Sequence, residues 1–278
     1  MPELPEVETI RSDLEKEIIN KRIIDIQVNL PKLIKIPRVD EFSSRLKGSS
    51  VKKIKRRGKY ILFFLNSSDY LVVHLGMTGL LLKQEYNSSL PEINKKHNHV
   101  LFVLQDSSKI IYNDVRQFGK LWLLKRDEKL SGIESLGLEP LESRFTFNEF
   151  FEILQRSREN IKSILMNQKK IAGIGNIYAN EILFNAAIHP LRKGHSLTRD
   201  EARRTYWYIR NLLIEAIELR GTTMADESYR DSHGNTGQFG KQIRIYGKRG
   251  GRCPFCGQPI EVIRIENRST FICSSCQK

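Results

Sequence analysis

The spacing of hydrophobic residues changes along this chain, and each change predicts a different kind of structure. Within residues 5–19, apolar positions recur every three or four residues among charged ones, at Val7, Ile10, Leu14 and Ile18. This spacing predicts an amphipathic helix packed against a core. From about residue 22 the pattern becomes short β-branched and aromatic runs between turn residues, at 22–28, 51–65, 70–75, 100–104, 109–112 and 121–124. Short strands without intervening helices predict an antiparallel sandwich or barrel, within a first domain of residues 1–130.

Helical spacing returns in the second half of the chain. Residues 127–145 carry Gly132, Gly137 and Pro140 among charged residues, which is typical of a linker. Beyond it we expect a short basic helix, a glycine-rich turn, a second helix and a long helix, over residues 160–170, 172–176, 177–187 and 198–219. With the polar, glycine-rich loop that follows, they form a predicted second domain of residues 131–240. The fold class is therefore α+β.

The composition is that of a globular protein with an anionic partner. The 278 residues are 40% hydrophobic and 28% charged, and no apolar run is long enough to span a membrane. Lys and Arg number 46 against 32 Asp and Glu, a formal charge of +14. This excess favours nucleic acid as the partner, with an anionic membrane surface second. With no secretory leader at the start, we expect a cytoplasmic location.

All four cysteines lie near the end of the chain, as two Cys-x-x-Cys pairs separated by sixteen residues: Cys253, Cys256, Cys273 and Cys276. This spacing matches the zinc-ribbon template, in which four thiolates close tetrahedrally on one structural Zn²⁺. A pair of disulfides is the alternative, and the expected reducing compartment disfavours it. Residues 241–278 are therefore predicted to form a zinc finger whose metal has no open catalytic position.

The N-terminus combines an amine with two acids. Removal of Met1 before the small residue Pro2 would leave a secondary amine at the chain end, next to Glu3 and three residues before Glu6. Such an amine can form a cationic iminium with a carbonyl-level carbon while a carboxyl shuttles the proton. The alternative is ordinary helix capping, with proline and acids in the first turn.

Three further segments suggest contacts with DNA. Residues 52–61 hold six basic residues interleaved with apolar ones, which predicts either a lysine-guarded edge strand or a phosphate-facing ridge with Lys59 close to the reaction centre. Two glycine-flanked turns present Met77 on one side, and Arg116 with Phe118 on the other. Exposed apolar residues at such tips can insert between base steps, although positions of this kind are often core.

The glycine-rich turn before the second helix of the helical domain suggests a phosphate contact. Backbone N–H groups and the positive end of a helix dipole meet at a helix N-terminus. Asn176 would cap that helix or donate to a phosphate, and Lys162 adds a charge nearby.

Taken in order, these motifs resemble the bacterial formamidopyrimidine-DNA glycosylases. The resemblance rests on six segments that run from residue 2 to residue 276: Pro2 to Glu6, Arg57 to Tyr60, His74 to Gly79, Asp114 to Gly119, Gly173 to Glu181, and the terminal cysteines. It implies an N-terminal β-sandwich flanked by helices, then a helix–two-turn–helix domain and a zinc finger, with DNA between the halves. It also implies excision of oxidised purines, chiefly 8-oxoguanine and formamidopyrimidines, from double-stranded DNA by a monomer that then nicks the strand at the abasic site.

The resemblance assigns a role to each candidate residue. Pro2 would attack C1′, Glu3 would move protons at the sugar, Lys59 would serve β-elimination, and Arg268 would be tied to δ-elimination by positioning phosphate. Met77, Arg116 and Phe118 would fill the gap left by the flipped nucleotide, with Arg116 facing the partner base. The residues matching phosphate contacts are His97, Lys162 and Asn176. Residues 222–240 resemble the lid over the flipped base.

Two departures and two alternatives accompany this interpretation. Arg220 stands where many members have glycine, and Gln117 replaces a frequent basic residue, which puts lesion preference and backbone affinity in question. The nearest alternative is endonuclease VIII, which prefers oxidised pyrimidines, although Leu4 and the trio of Met77, Arg116 and Phe118 favour the purine enzyme. The other alternative is a noncatalytic, architectural DNA-binding protein in which Pro2 only begins a helix.

Overall fold

The computed structural model of the protein describes residues 1–86, 93–224 and 229–278. These form two compact units, of which the first comprises Met1–Glu134 with Leu219–Gly240 and the second Ser135–Glu218 with Lys241–Lys278. Among the described residues, no helix is both long enough and apolar enough to cross a lipid bilayer.

The first unit is built on two β-sheets. Its elements are α1 (Leu4–Ile18), β1 (Ile23–Val28), β2 (Ile34–Ile36), α2 (Val39–Leu46), β3 (Val51–Arg57), β4 (Tyr60–Leu65), β5 (Asp69–His74), β6 (Gly79–Gln84), β7 (Asn98–Leu104), β8 (Lys109–Asp114), β9 (Lys120–Lys125) and α3 (Ser131–Glu134). A five-stranded sheet has the strand order β2-β9-β5-β4-β3, and a four-stranded sheet has the order β1-β7-β8-β6. Pairing is antiparallel throughout both sheets except between β2 and β9, which run parallel.

One hydrophobic core joins both sheets to helix α1. Strand residues from the two sheets, such as Ile54 and Val73 from one and Val100 and Tyr112 from the other, belong to a single buried cluster. The apolar stripe predicted for the first helix enters this cluster, with exposures of 0–2% for Val7, Ile10, Leu14 and Ile18. Each fully buried aliphatic side chain contributes roughly 2 kcal/mol. Core packing therefore fixes the helix that carries the N-terminus, and the predicted sandwich with a flanking helix is confirmed.

The sequence pattern missed some local features of this unit. The run at 51–65 is two strands, β3 and β4, joined by a tight turn in which Gly58 has a φ of +54°. Left-handed backbone of this kind is readily adopted by glycine, so the basic segment folds back on itself at Lys59. Strand β2 and helix α2 were not predicted, because their short apolar runs lack a clear period.

The second unit is helical and ends in a two-stranded ribbon. Its elements are α4 (Phe147–Gln155), α5 (Ile161–Met166), α6 (Asn176–Asn185), α7 (Arg199–Glu218), β10 (Glu261–Ile265) and β11 (Arg268–Ile272). Helix α5 is shorter than the predicted 160–170, because Asn167 ends it and the next residues turn towards Gly173. The helical domain and terminal cysteine cluster expected from the sequence are confirmed.

The segment Leu219–Gly240 was predicted to belong to the helical domain, whereas in the structure it clusters with the first unit. The reason is a set of polar contacts with α1: the Arg220 guanidinium binds Asp13, and the Thr222 N–H donates to Glu6. Periodicity in the sequence does not reveal such long-range pairs.

Candidate active site

The start of helix α1 places three residues of the N-terminal motif in a buried setting. Pro2 is buried, and Glu3 and Glu6 are each only 2% exposed. One oxygen of the Glu6 carboxylate accepts the N–H of Glu3 at 2.8 Å, and the other accepts the N–H of Thr222 at 2.7 Å. Backbone donors and the helix dipole thus stabilise a buried negative charge beside Pro2.

The turn between β3 and β4 brings a cation into the same unit. Lys59 is 8% exposed, and its neighbour Arg56 is tied to α1 through a 2.9 Å ion pair with Glu8. Burial, with the charges of Lys59 and Lys120, lowers the pKa of His74 to about 4. His74 is therefore neutral at pH 7, and its Nδ1 accepts the N–H of Gly76 at 3.1 Å. This hydrogen bond fixes the start of the turn that carries Met77.

A fully buried carboxylate holds the two glycine-flanked turns. One oxygen of Asp114 accepts the hydroxyl of Thr78 at 2.6 Å and the N–H of Arg116 at 3.2 Å. The other accepts the N–H of Gly119 at 2.8 Å and the hydroxyl of Tyr112 at 3.3 Å. Since Thr78 lies in the first turn and Gly119 in the second, Asp114 joins both turns.

Glycines let the two turns approach each other closely. A Cβ atom on Gly76 would lie 2.7 Å from the backbone of Phe118, and one on Gly119 would overlap the Tyr112 hydroxyl. The side chains at the tips point outward: Met77 is 38% exposed and Phe118 is 51% exposed. These two side chains are therefore not part of the core. The Arg116 guanidinium lies 5.0 Å from the centre of the Phe118 ring.

His97 lies immediately before strand β7, close to residues that contact Asp114. It ends a short 3-10 helix, Lys95–His97, and is half-buried, with its ring centre 6.2 Å from that of His99. The Nε2 atom of His99 is 2.9 Å from the backbone oxygen of Asp114. His97 therefore lies just before the strand whose His99 contacts the Asp114 backbone.

In the second unit, the ribbon hairpin presents Arg268. Glu266 and Asn267 both have positive φ, 50° and 60°, which is the geometry of a two-residue turn matched to the twist of its strands. Arg268 follows at the start of β11 and is exposed. The hairpin is held by α6, since the Asn180 side chain accepts the N–H of Phe271 at 2.8 Å and that of Asn176 donates to the Ser269 carbonyl at 3.1 Å.

Two details differ from expectation in this unit. Gly175 is the N-cap of α6 and Asn176 its first residue, so Asn176 does not cap the helix. Lys162 was placed among the phosphate contacts, yet it is 1% exposed and its ammonium donates to Thr270 at 2.6 Å and to Ser269 at 3.3 Å. Within the second unit, its charge therefore supports the hairpin that presents Arg268.

Comparison with known proteins assigns the family. The model of the formamidopyrimidine-DNA glycosylase N-terminal domain matches residues 1–121, and that of the H2TH domain of the same enzymes matches residues 136–228. The formamidopyrimidine-DNA glycosylase of Pelotomaculum thermopropionicum is 41% identical, over 100% of this chain and 99% of the relative. That of Carboxydothermus hydrogenoformans is 42% identical over the full length of both. The chain belongs to the formamidopyrimidine-DNA glycosylase family.

Solved structures of family members agree in fold. A complex of Lactococcus lactis Fpg with DNA containing N7-benzyl-Fapy-dG has a TM-score of 0.90 and 33% identity, over 100% of both chains. The Thermus thermophilus protein has a TM-score of 0.87 and 36% identity, over 99% of this chain and 98% of that one. Family members are DNA glycosylases that also cleave the strand at abasic sites, so the resemblance found in the sequence is confirmed.

The four cysteines fit a metal ion. Their sulfur atoms all lie within 4.8 Å of one another, with 3.8 Å between those of Cys253 and Cys276 and 3.4 Å between those of Cys256 and Cys273. Sulfurs bound tetrahedrally at ~2.3 Å from zinc would be about 3.8 Å apart. A hydrogen bond from the Gln258 backbone lowers the pKa of Cys256 to about 7, whereas burial raises the pKa values of Cys273 and Cys276.

Asp114 begins one of the sequence motifs but had no role predicted from it, whereas in the structure it connects the two turns. A signal existed: Asp, Asn and Ser often accept the N–H two residues later, as Asp114 does from Arg116. The hydrogen bonds of Asp114 to Thr78 and Gly119 form only in the folded structure, and no local sequence pattern predicts them. Of the predicted lid at 222–240, residues 225–228 lie outside the described residues.

Proposed function

We propose that this protein removes oxidised purines, 8-oxoguanine and formamidopyrimidines, from duplex DNA through a Schiff base at Pro2, and then nicks the strand by β,δ-elimination. The observation that carries the proposal is the buried N-terminus of α1, where Pro2 adjoins two buried carboxyls, those of Glu3 and Glu6. The protein acts as a monomer in base-excision repair.

The chemistry begins once Met1 is removed and the Pro2 nitrogen is free. That nitrogen bonds to C1′ of the damaged nucleotide while the bond from C1′ to the base breaks, and the base leaves with the bonding electrons and takes a proton from water. Glu3 accepts the proton that the amine loses and protonates the sugar ring oxygen as the ring opens. The product is a cationic iminium between Pro2 and C1′.

The iminium acts as an electron sink for strand cleavage. Loss of a proton from C2′ expels the 3′-phosphate, and a further proton loss from the sugar expels the 5′-phosphate. Lys59 serves the first elimination and contacts phosphate, and Arg268 positions phosphate for the second, since a guanidinium keeps its proton. Water then hydrolyses the imine and releases Pro2.

The two turns joined by Asp114 support base flipping. Extruding a nucleotide costs a few kcal/mol of stacking, which inserted side chains offset. Met77 and Phe118 are exposed apolar residues on fixed backbone, and Arg116 beside Phe118 faces the partner base. Solved family members bind DNA carrying Fapy-dG, an abasic site or carbocyclic 8-oxo-G, which supports the same substrate class here.

The remaining candidates contact the DNA backbone or support such contacts. His97 and Asn176 bind phosphate, and Lys162 acts within the second unit by holding the Arg268 hairpin. Zinc bound by Cys253, Cys256, Cys273 and Cys276 fixes that hairpin. The ion has a structural role, because four thiolates leave no open coordination position.

The test is borohydride trapping, which reduces the iminium to a permanent link between protein and DNA. The mature protein should become linked to duplex DNA containing 8-oxoguanine opposite cytosine, and not to the same duplex without the lesion. Pro2→Gly should lower the trapping rate by roughly a hundredfold or more while lesion binding is retained. Mass spectrometry of the active protein should show that Met1 is absent. Full activity with Met1 attached would overturn the mechanism.

The same assay separates the alternative substrate class. Trapping on a matched duplex with thymine glycol in place of 8-oxoguanine, at a higher rate, would indicate the oxidised-pyrimidine specificity of endonuclease VIII. The exposed trio of Met77, Arg116 and Phe118 favours the purine substrate. We therefore expect the faster reaction on 8-oxoguanine.

A further inference from the structure

We propose that Arg220 is a positioning residue for the N-terminal nucleophile. Arg220 binds Asp13 of α1 and Asp231, and these contacts fix the position of the Thr222 backbone. The Thr222 N–H can then orient the Glu6 carboxylate beside Pro2. This inference rests on the proposed role of Pro2 and adds a residue to the machinery that serves it.

Arg220 forms a clamp between two buried carboxylates. Its guanidinium donates to Asp13 at 2.6 and 3.2 Å and to Asp231 at 2.6 and 2.8 Å. The side chains of Asp13 and Asp231 are 8% and 0% exposed, whereas that of Arg220 is 39% exposed, so solvent screens these ion pairs only in part. One guanidinium nitrogen, Nη2, contacts both carboxylates.

The backbone at Arg220 indicates that the side chain is retained for these contacts. Its φ is +61°, a conformation that glycine adopts freely and other residues adopt at a cost. In this chain the ion pairs with Asp13 and Asp231 offset the conformational cost.

A short, tightly packed path connects the clamp to the nucleophile. Thr222 lies two residues after Arg220, and its N–H donates to Glu6 at 2.7 Å; Glu6 in turn accepts the N–H of Glu3, the neighbour of Pro2, at 2.8 Å. Gly221, between Arg220 and Thr222, is closely packed, since a Cβ atom there would lie 3.0 Å from both Glu6 and the Tyr229 ring. A shift of the Arg220 backbone is therefore transmitted to Glu6.

Asp231 anchors the far side of the clamp. Its second oxygen accepts the N–H groups of His233 and Asn235, both at 2.9 Å, and Ser232 donates to Asp13 at 2.9 Å. Helix α1 is thus held by its buried apolar residues and, through Asp13, by this polar network. Arg220 is the cation that both carboxylates share.

Single-turnover trapping of the mature protein on a duplex with one abasic site tests the inference, because it reports iminium formation without base recognition. Arg220→Gly suits the backbone conformation, so the variant is expected to fold. At saturating protein, its trapping rate should fall about tenfold, since small misplacements of reacting groups have effects of this order. The dissociation constant for the same duplex, measured without borohydride, should stay close to that of the wild type.

Two further variants serve as controls for the Arg220→Gly result. Arg45→Ala removes a comparable ion pair with Asp69 elsewhere in the first unit, and it should leave the trapping rate unchanged. Adding Asp13→Asn to Arg220→Gly removes one of the two charges left facing each other, and this double variant should remain slow. Recovery of the wild-type rate by the double variant would show that stray charge, and not the missing clamp, slowed the reaction.

The outcomes separate the inference from the function it rests on. A wild-type protein that is not trapped on any lesion refutes the role of Pro2. A wild-type protein that is trapped, together with an Arg220→Gly variant trapped at the same rate, refutes only the positioning role of Arg220.

Discussion

Two regions of the molecule present exposed side chains, and in each region a buried charged group supports the backbone that carries them. The two buried groups have charges of opposite sign. In the first unit, the fully buried carboxylate of Asp114 supports the turns that carry Met77, Arg116 and Phe118. In the second, the 1% exposed ammonium of Lys162 supports the hairpin that carries Arg268. The signs follow from the partners: Asp114 accepts from N–H and O–H groups, whereas Lys162 donates to a hydroxyl and a carbonyl.

The difference lies in what else holds each region. Each of the two turns that Asp114 joins connects one sheet to the other, β5 to β6 and β8 to β9. Their ends are paired within the sheets, Gly79 with Asp114 in one and His74 with Lys120 in the other. Lys162 reaches a hairpin 108 residues along the chain, which Asn176 and Asn180 of α6 also contact and which lies between the two Cys-x-x-Cys pairs. We therefore expect the first region to depend on a single carboxylate, and the second on the zinc ion proposed at the four cysteines.

The largest expected effect is on the second region, through the metal. Cys253→Ser should abolish zinc binding and unfold the hairpin, because the free energy of zinc binding to such sites, about 10 kcal/mol or more, is coupled to folding. Affinity for lesion DNA should fall at least about tenfold. Zinc content, hydrogen exchange over β10 and β11, and DNA titration measure this.

Ser275→Ala, an exposed position between two of the cysteines, provides the matched control and should behave as wild type. Unchanged zinc content and DNA affinity in Cys253→Ser would show that the hairpin does not need the metal, and the contrast between the regions would be lost.

A smaller effect is expected in the first region. Asp114→Asn keeps the shape of the side chain but replaces one acceptor oxygen with an NH₂ group, which then faces the Gly119 N–H. Donors left unsatisfied in a buried site cost about 1–3 kcal/mol of unfolding free energy. Urea denaturation measures this loss, and lesion-DNA affinity should fall with it.

Asp25→Asn removes an exposed carboxylate that pairs with Lys47 on the surface, and stability should change by less than about 0.5 kcal/mol. Equal stability of the Asp114 and Asp25 variants would mean that the turns are held by sheet pairing alone.

The remaining expected effect is a pH dependence of stability in the first region, which appears only at acidic pH. Because the pKa of His74 is lowered to about 4 in the folded protein, the unfolded chain binds a proton in the window between pH 6.5 and 4 that the folded protein does not. Stability should therefore fall by up to about 3 kcal/mol as the pH drops through this window, and be constant above it. Urea denaturation of His74→Asn should lack this component, whereas the exposed His195→Asn should retain it.

The sequence was sufficient for features that repeat or that sit close together along the chain. The apolar stripe of α1, the short strands and the Cys-x-x-Cys pairs each have a local pattern, and the six family segments identified the fold. Features built from pairs distant in sequence were not accessible. The attachment of Arg220 to Asp13 spans 207 positions, and the burial of Lys162 against Thr270 spans 108.

The candidate site shows the same division. The sequence placed Pro2, Glu3 and Lys59 in motifs, and the structure finds them buried in one unit. It did not show that Asp114 would join two turns, because a buried carboxylate is recognised only by its partners in space. Charge alone was also misleading for Lys162, since a lysine in a basic segment is usually solvated.

The close approach of Gly76 to the backbone of Phe118 has a consequence for the thermodynamics of association. Because both turns are already interlocked in the free protein, little backbone freedom remains to be lost when Met77 and Phe118 meet a partner, and the entropic penalty of complex formation is correspondingly small. A larger side chain at Gly76 or Gly119 would loosen the turns. The turns would then become ordered on binding the partner instead of on folding.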